Sequence, residues 1–162
     1  MSAFLERLRR YANDRGLMAN LRCILVDTKK HRAWPALSRI GVNVKNEEDA
    51  VVAGLFATHQ DESQAGNFGS TCKQIECRRG EKPGDDNKLT PTERRFQHLL
   101  AAEKGEELYQ RVTRMVLMAK PLGVPVNYKQ LAADLRRWND RTKTEWAAAF
   151  WTRSEPASKE DV

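Results

Sequence analysis

Apolar positions in this chain recur every three to four residues, the spacing that places side chains on one face of a helix. Residues 2–12 carry Phe4, Leu5, Leu8, Tyr11 and Ala12 in that register, with Arg7, Arg9 and Arg10 displaced from it. A short amphipathic helix is expected there. After "NDRG" a second helical pattern runs from Leu17 to about Lys29 and ends in the basic cluster "KKHR" at 29–32, where cations complement the negative end of a helix dipole. Trp34 then precedes Pro35, and "PALSRIG" has Pro in its first turn and Gly41 as its stop. Asn46, with Asp49 three residues on, caps the strongly apolar "EEDAVVAGLFATH", which belongs in the core. Beyond a polar stretch from Gln60 to Asn67, "FGSTCKQIEC" predicts one more short helix with Phe68, Cys72 and Ile75 inside.

Residues 78–88, "RRGEKPGDDNK", contain no apolar side chain and mix Gly, Pro and acids, the composition of an exposed linker. Thr90, Pro91 and Glu93 form a capping box with Pro at the first helical position, opening a helix through Phe96, Leu99 and Leu100. Gly105 separates it from "EELYQRVTRMVLMAK", whose Leu108, Val112, Met115, Val116 and Ala119 make a buried stripe, and "PLGVPV" breaks the pattern. Asn127 with Gln130 caps a helix that buries Tyr128, Leu131, Ala132, Leu135 and Trp138, and a last helix from about Arg141 to Arg153 turns Trp146 and Phe150 inward. No stretch shows β-branched alternation with hairpin turns. The expected fold is therefore all-α, two small helical subdomains over 1–77 and 90–153 packed end to end. An exposed linker over 78–89 joins them, and a flexible tail covers 154–162.

Composition narrows the classes. With 162 residues, 40% of them hydrophobic, the chain can bury a core without staples. Its start, "MSAFLERLRR", lacks the apolar run of a signal peptide, and no later stretch approaches the roughly 20 apolar residues of a membrane span. Cys23, Cys72 and Cys77 are odd in number and fit neither a C-x-x-C redox pattern nor a zinc knuckle. A reducing cytoplasm and no membrane anchoring are expected. Lys plus Arg is 28 against 22 for Asp plus Glu, a formal charge of +6, and the pI is near 9.4. This balance favours an anionic partner, although a solubility charge would look the same. From Lys88 to Arg153 there are 13 Lys plus Arg against 7 Asp plus Glu, so the positive excess sits in the second half.

The densest part of that excess is "DLRRWNDRTK", residues 134–143. If Tyr128, Leu131, Leu135 and Trp138 face the core, Lys129 and Arg136 share the outer face, while Arg137 and Arg141 share a flank. Asp134 can pair with Arg137 or with the neighbours of Trp138, but Asp134 and Asp140 are too few to neutralise the cluster. The clusters "RLRR" at 7–10 and "ERR" at 93–95 also lie beside the apolar stripes. Arginines on rigid helices can fork onto phosphate oxygens and release counterions. They can equally form a solvated face. Trp138 could stack on a base, but its register favours core packing.

Catalysis has little support. His31, His59 and His98 are scattered without metal-ligand spacing, "EED" at 47–49 suits the first turn of a helix, and "GNFGS" lacks the lysine and preceding strand of a phosphate loop. No enzyme, metal or cofactor is expected.

The run "GVPVNYKQLAADLRRWNDRTKTEWAAAFW" resembles the C-terminal signature of the CasB family, the small subunit of the type I-E CRISPR surveillance complex called Cascade. "ERRFQHLLAAEKGEEL" is similar to that family's helix of Arg, Phe and paired Leu followed by a short acidic turn. "RRYANDRG", "AWPALSRIG", "VAGLFATHQ" and "GNFGSTCKQI" match its N-terminal half in order and spacing, so the resemblance covers nearly the whole chain. It implies a non-catalytic helical subunit, present as a pair, that contacts the large subunit and the repeated backbone subunits. It also implies a basic groove holding the displaced non-target DNA strand while guide RNA pairs with the target strand. By position the resemblance carries phosphate contact to Arg10, Arg94, Arg95, Lys104, Arg111, Arg114, Arg141 and Lys143. Where many members carry Arg after the Gly of the "GNFGS" region, this chain has Ser70 and Thr71, and the nearest cation is Lys73.

Three rival readings make different demands. A helical adaptor docking on an acidic protein surface needs a basic face but no preference for nucleic acid. A stand-alone nucleic-acid binder works without partners. A metal-dependent nuclease needs clustered acids in the folded chain.

Overall fold

Side-chain caps set most of the helix starts. The computed structural model describes residues 3–84 and 88–152; the expected tail at 154–162, and Arg153 at the expected end of the last helix, lie outside the described residues. In chain order the helices are α1 (Ala3–Arg10), α2 (Arg15–Arg22), α3 (Trp34–Arg39), α4 (Glu47–Thr58), α5 (Phe68–Arg78), α6 (Pro91–Ala101), α7 (Glu106–Leu122), α8 (Tyr128–Arg136) and α9 (Asp140–Trp151). The side chains of Asp14, Asn46, Asn127 and Asn139 accept from the backbone N–H three residues on, opening α2, α4, α8 and α9. Reciprocal capping boxes, Asn67 with Ser70 and Thr90 with Glu93, open α5 and α6. Each such cap contributes about 1 kcal/mol. The chain is all-α: among the described residues there is no strand, only an isolated parallel bridge between Glu62 and Val126.

Three element boundaries depart from the sequence expectation. The helix expected to run to Lys29 ends at Arg22 and tightens into a 3-10 turn at Cys23–Leu25; Val26 is extended (φ −112°, ψ 115°), and a second 3-10 segment covers Asp27–Ala33. The tightened turn lays Ile24 over Gly54 of α4, where a Cβ would stand 2.4 Å from Ile24 Cγ2. α7 continues through Pro121, which has no N–H to offer the Leu117 carbonyl and so weakens the last turn, and stops at Gly123 in the left-handed region (φ 69°). α8 stops at Arg136, so Trp138 lies beyond the helix rather than in its register. It still packs: half-buried, its indole N–H donates to Ala102 O at 2.9 Å and its ring meets Trp146 edge-on at 4.9 Å.

The core is one continuous cluster reaching from Phe4 and Leu5 of α1 to Trp146 and Phe150 of α9. Fully burying a side chain such as Leu131 or Leu135 is worth about 1.5–3 kcal/mol. Tyr128 ties α8 to α4: its ring meets Phe56 edge-on at 5.7 Å, and its hydroxyl reaches the carbonyl oxygens of Leu55 (3.2 Å) and His59 (2.5 Å). Burial pushes the Tyr128 hydroxyl pKa well up, so it stays protonated and can donate. α5 packs mainly on α9, α7 and α6, all later in the chain. Gly69 lets α5 and α9 meet at the backbone, since a Cβ there would lie 2.1 Å from Trp146 O. At the end of α5, Arg78 donates to the carbonyls of Leu122 (2.8 Å) and Gly123 (3.0 Å), satisfying the end of α7.

Candidate nucleic-acid interface

The turn from α8 into α9 builds an open cleft with a basic wall. α8 closes with Arg137 as its C-cap, the chain reverses, and Asn139 caps α9 by accepting from Thr142 N at 3.0 Å. Arg137 and Arg141, expected on a flank of one helix, thus belong to two elements. They nevertheless line the same cleft, of about 950 Å³, together with Gln130, Asn139, Asn67 and Ser70. The N-termini of α5 and α9 both open into it and bring their partial positive charge. Both arginines are exposed, and neither is in an ion pair among the described residues.

Two carboxylates share the cleft wall, Asp134 and Glu145. Asp134 is occupied: Oδ2 accepts from Trp146 Nε1 at 2.7 Å and Oδ1 from Gln130 Nε2 at 2.9 Å. Spacing offers it Arg137 or the neighbours of Trp138; in the fold it binds the indole of Trp146 instead. Glu145 is exposed, and its backbone carbonyl accepts from Asn67 Nδ2 at 3.3 Å, joining the two helix starts that frame the cleft. Lys143 sits 5.7 Å over the Trp138 ring, a cation–π contact beside the same turn.

Four of the other cations singled out by the sequence are engaged within the fold. Arg136 pairs with Asp49 at 2.6 Å, and Lys104 pairs with Glu48 at 2.9 Å while also donating to Arg136 O at 3.2 Å. Burial alone would raise the Glu48 pKa; the hydrogen bond from Lys104 and bonds to backbone N–H and Tyr109 overcome it and hold the carboxyl below its usual value. Arg111 pairs with Glu107 one turn back on α7 at 3.1 Å. Lys73 donates to the carbonyls of Phe150 (3.3 Å) and Thr152 (3.2 Å), capping the end of α9. Arg10 on α1, Arg94 and Arg95 on α6, Arg114 on α7 and Lys129 on α8 are exposed without an ion pair among the described residues. The acids "EED" therefore hold cations through Glu48 and Asp49. Asn67, Ser70 and Gln130 are cleft residues that sequence reading gave no functional weight. Asn67 lies 78 residues from the Glu145 carbonyl it binds, beyond the reach of any local period.

Histidine and cysteine are dispersed. His59 is buried with Nε2 2.6 Å from Val124 O, His31 meets Trp34, and His98 is exposed on α6. Cys23, Cys72 and Cys77 are free thiols, and burial pushes the Cys72 pKa well up. Among the described residues no group of three or more His, Cys, Asp or Glu is arranged to hold a metal ion, and no helix is long and apolar enough to cross a membrane.

The family model for the CRISPR-associated protein Cse2 matches residues 7–151. The chain belongs to the Cse2 family. A crystal structure of a Cse2-family CRISPR-associated protein from Thermus thermophilus is similar at 19% identity and a TM-score of 0.73, over 93% of this chain and 96% of that one. A structure of CasB from Thermus thermophilus gives 20% identity and a TM-score of 0.72 over the same shares. M. ruber CasB gives 22% and 0.66, over 99% of this chain and 98% of its own. The comparison with curated proteins returns no match. The CasB resemblance read from the sequence is thus borne out, and the helical Cse2 fold is the one described above.

Proposed function

We propose that this Cse2-family chain is a non-catalytic small subunit of a type I-E CRISPR RNA-guided surveillance complex. In that role it holds the displaced non-target DNA strand and bridges the backbone subunits, the large subunit and a second copy of itself. Membership of the family supplies the setting. The observation that carries the strand-holding role is the cleft between α5, α8 and α9, where Arg137 and Arg141 stand exposed and, among the described residues, in no ion pair beside two helix N-termini. Forked guanidinium donors and backbone N–H groups bind phosphate oxygens without reading sequence. Exchange of a DNA duplex for an RNA–DNA duplex is nearly balanced, so added contacts to the displaced strand oppose its re-annealing.

The direct test is R-loop lifetime in an assembled complex carrying Arg137→Glu and Arg141→Glu. Faster collapse with intact assembly is expected. An unchanged lifetime would remove the strand-holding role, and loss of assembly instead would favour an adaptor that uses these cations on an acidic protein surface.

A further inference from the structure

The segment "KKHRAW", residues 29–34, takes no part in the cleft and has a surface of its own. Most of it lies in the 3-10 segment Asp27–Ala33, where residues three apart eclipse one another. Lys29 and Arg32 therefore stand on one exposed ridge and His31 and Trp34 on the next, with the His31 and Trp34 rings 6.5 Å apart at 74°. Ala33 is buried, and Lys30 turns toward Asp27 (3.2 Å) and Glu106 (3.3 Å).

Trp34 differs from the other tryptophans. The indole N–H groups of Trp138, Trp146 and Trp151 donate to Ala102 O, Asp134 and Glu93, whereas that of Trp34 meets no acceptor among the described residues. Trp34 as a whole is 48% exposed. It walls a groove of about 470 Å³ whose floor includes Ile24, Val44 and Val51, with Arg114 on the rim. Lys29, Arg32 and Arg114 are in no ion pair among the described residues; on the acidic side of the rim Glu106 is held by Lys30, leaving Glu47 as the unpaired carboxylate.

We propose that Trp34 and the groove beside it form a second seat for single-stranded nucleic acid. One unpaired base stacks on the indole, while Lys29, Arg32 and Arg114 hold its flanking phosphates. An exposed indole with an unpaired arginine on the groove rim and two exposed cations in the segment leading to it is a combination that binds strands without regard to sequence. The groove admits one base and its sugar over an apolar floor, and Glu47 can accept from a base amino group. Arg114 on the rim together with Lys29 and Arg32 in the segment leading to the indole outnumber the unpaired Glu47, which favours a polyanion over a neutral apolar peptide as the occupant. The seat rests on the strand-binding reading given above but uses none of the cleft residues.

Fluorescence anisotropy of the full chain with labelled oligothymidylate and oligouridylate, across a salt series, tests it. Trp34→Ala is expected to weaken binding by roughly five- to tenfold at every salt concentration, since a stacked base is worth at least that much. The salt slope should stay unchanged, because stacking releases no counterions. Trp34→Phe should keep most of the affinity and guards against a folding defect in the alanine variant, and preference between the two oligomers identifies DNA or RNA as the occupant. No binding by the parent chain at low salt, or equal affinities for parent and Trp34→Ala, overturns the seat. Equal affinities with loss of complex assembly overturn it in favour of a protein contact. The R-loop measurement on Arg137 and Arg141 is independent of Trp34, so either idea can fail alone.

Discussion

Arg136 and Asp49, 87 residues apart in the sequence, meet at 2.6 Å and tie the end of α8 to the first turn of α4. Asp49 is 8% exposed, so removing the guanidinium leaves a nearly buried carboxylate with only the Asn46 amide, at 3.0 Å, as its side-chain partner. Arg136→Ala is expected to destabilise the fold by about 1–3 kcal/mol, the cost of losing a partly exposed charged hydrogen bond. The midpoint of a urea titration reads this directly; a midpoint equal to that of the parent chain would return Arg136 to the pool of free surface cations.

The same pair shows what the sequence carries and what it does not. Caps and stripes are local, so Asn46, Thr90, Pro91 and the Leu108 to Ala119 stripe could be placed from spacing alone. Pairings between distant elements leave no periodic trace. The acids at 47–49 read correctly as a helix start, yet nothing nearby in the chain points to Lys104 or Arg136 as their partners. Arg137 and Arg141 do come together, but not as neighbours on one helix flank: a turn between two helices joins them, because α8 stops before Trp138. Similarly, α5 precedes the polar stretch at 78–88 but finds its main partners after it, which hydrophobic patterning cannot order.

Gly69 is where α5 and α9 come closest, with the position of a Cβ only 2.1 Å from the Trp146 carbonyl oxygen. The obstacle is backbone, so it cannot rotate away. Gly69→Ala should force the two helices apart and destabilise the protein by about 1–3 kcal/mol, the usual range for overpacking. Thermal unfolding checks this. A stability equal to the parent's would mean that α9 shifts freely on α5.

Glu76 is 6% exposed and accepts from Thr90 Oγ1 at 2.7 Å. Burial raises its pKa above the usual carboxylate value; the Thr90 bond and Lys73 oppose this, and the nearby charges of Glu93 and Glu81 add to it. A carboxyl whose pKa is raised in the folded state favours folding at low pH, and that contribution is lost as pH rises through the folded value. Glu76→Gln, neutral throughout, should therefore melt higher than the parent at pH 7. The difference should vanish below about pH 4, where the glutamate is protonated folded or unfolded. A gain that persists unchanged at low pH would assign the effect to packing rather than to charge.

Arg94 on α6 and Arg141 on α9 are exposed and off the apolar stripes. Reversing both to Glu should move stability by no more than about 0.5 kcal/mol, as is usual for surface substitutions. Strand binding should respond differently. If each arginine neutralises one phosphate of a single strand, losing two contacts lowers the slope of log K against log salt by about 1.4. Anisotropy with a labelled oligonucleotide between low and moderate salt measures that slope. A lower affinity with an unchanged slope would mean that the glutamates repel the strand from a distance and that the arginines make no phosphate contact. A lower slope together with shortened R-loop lifetime would place both side chains along the path of the bound strand.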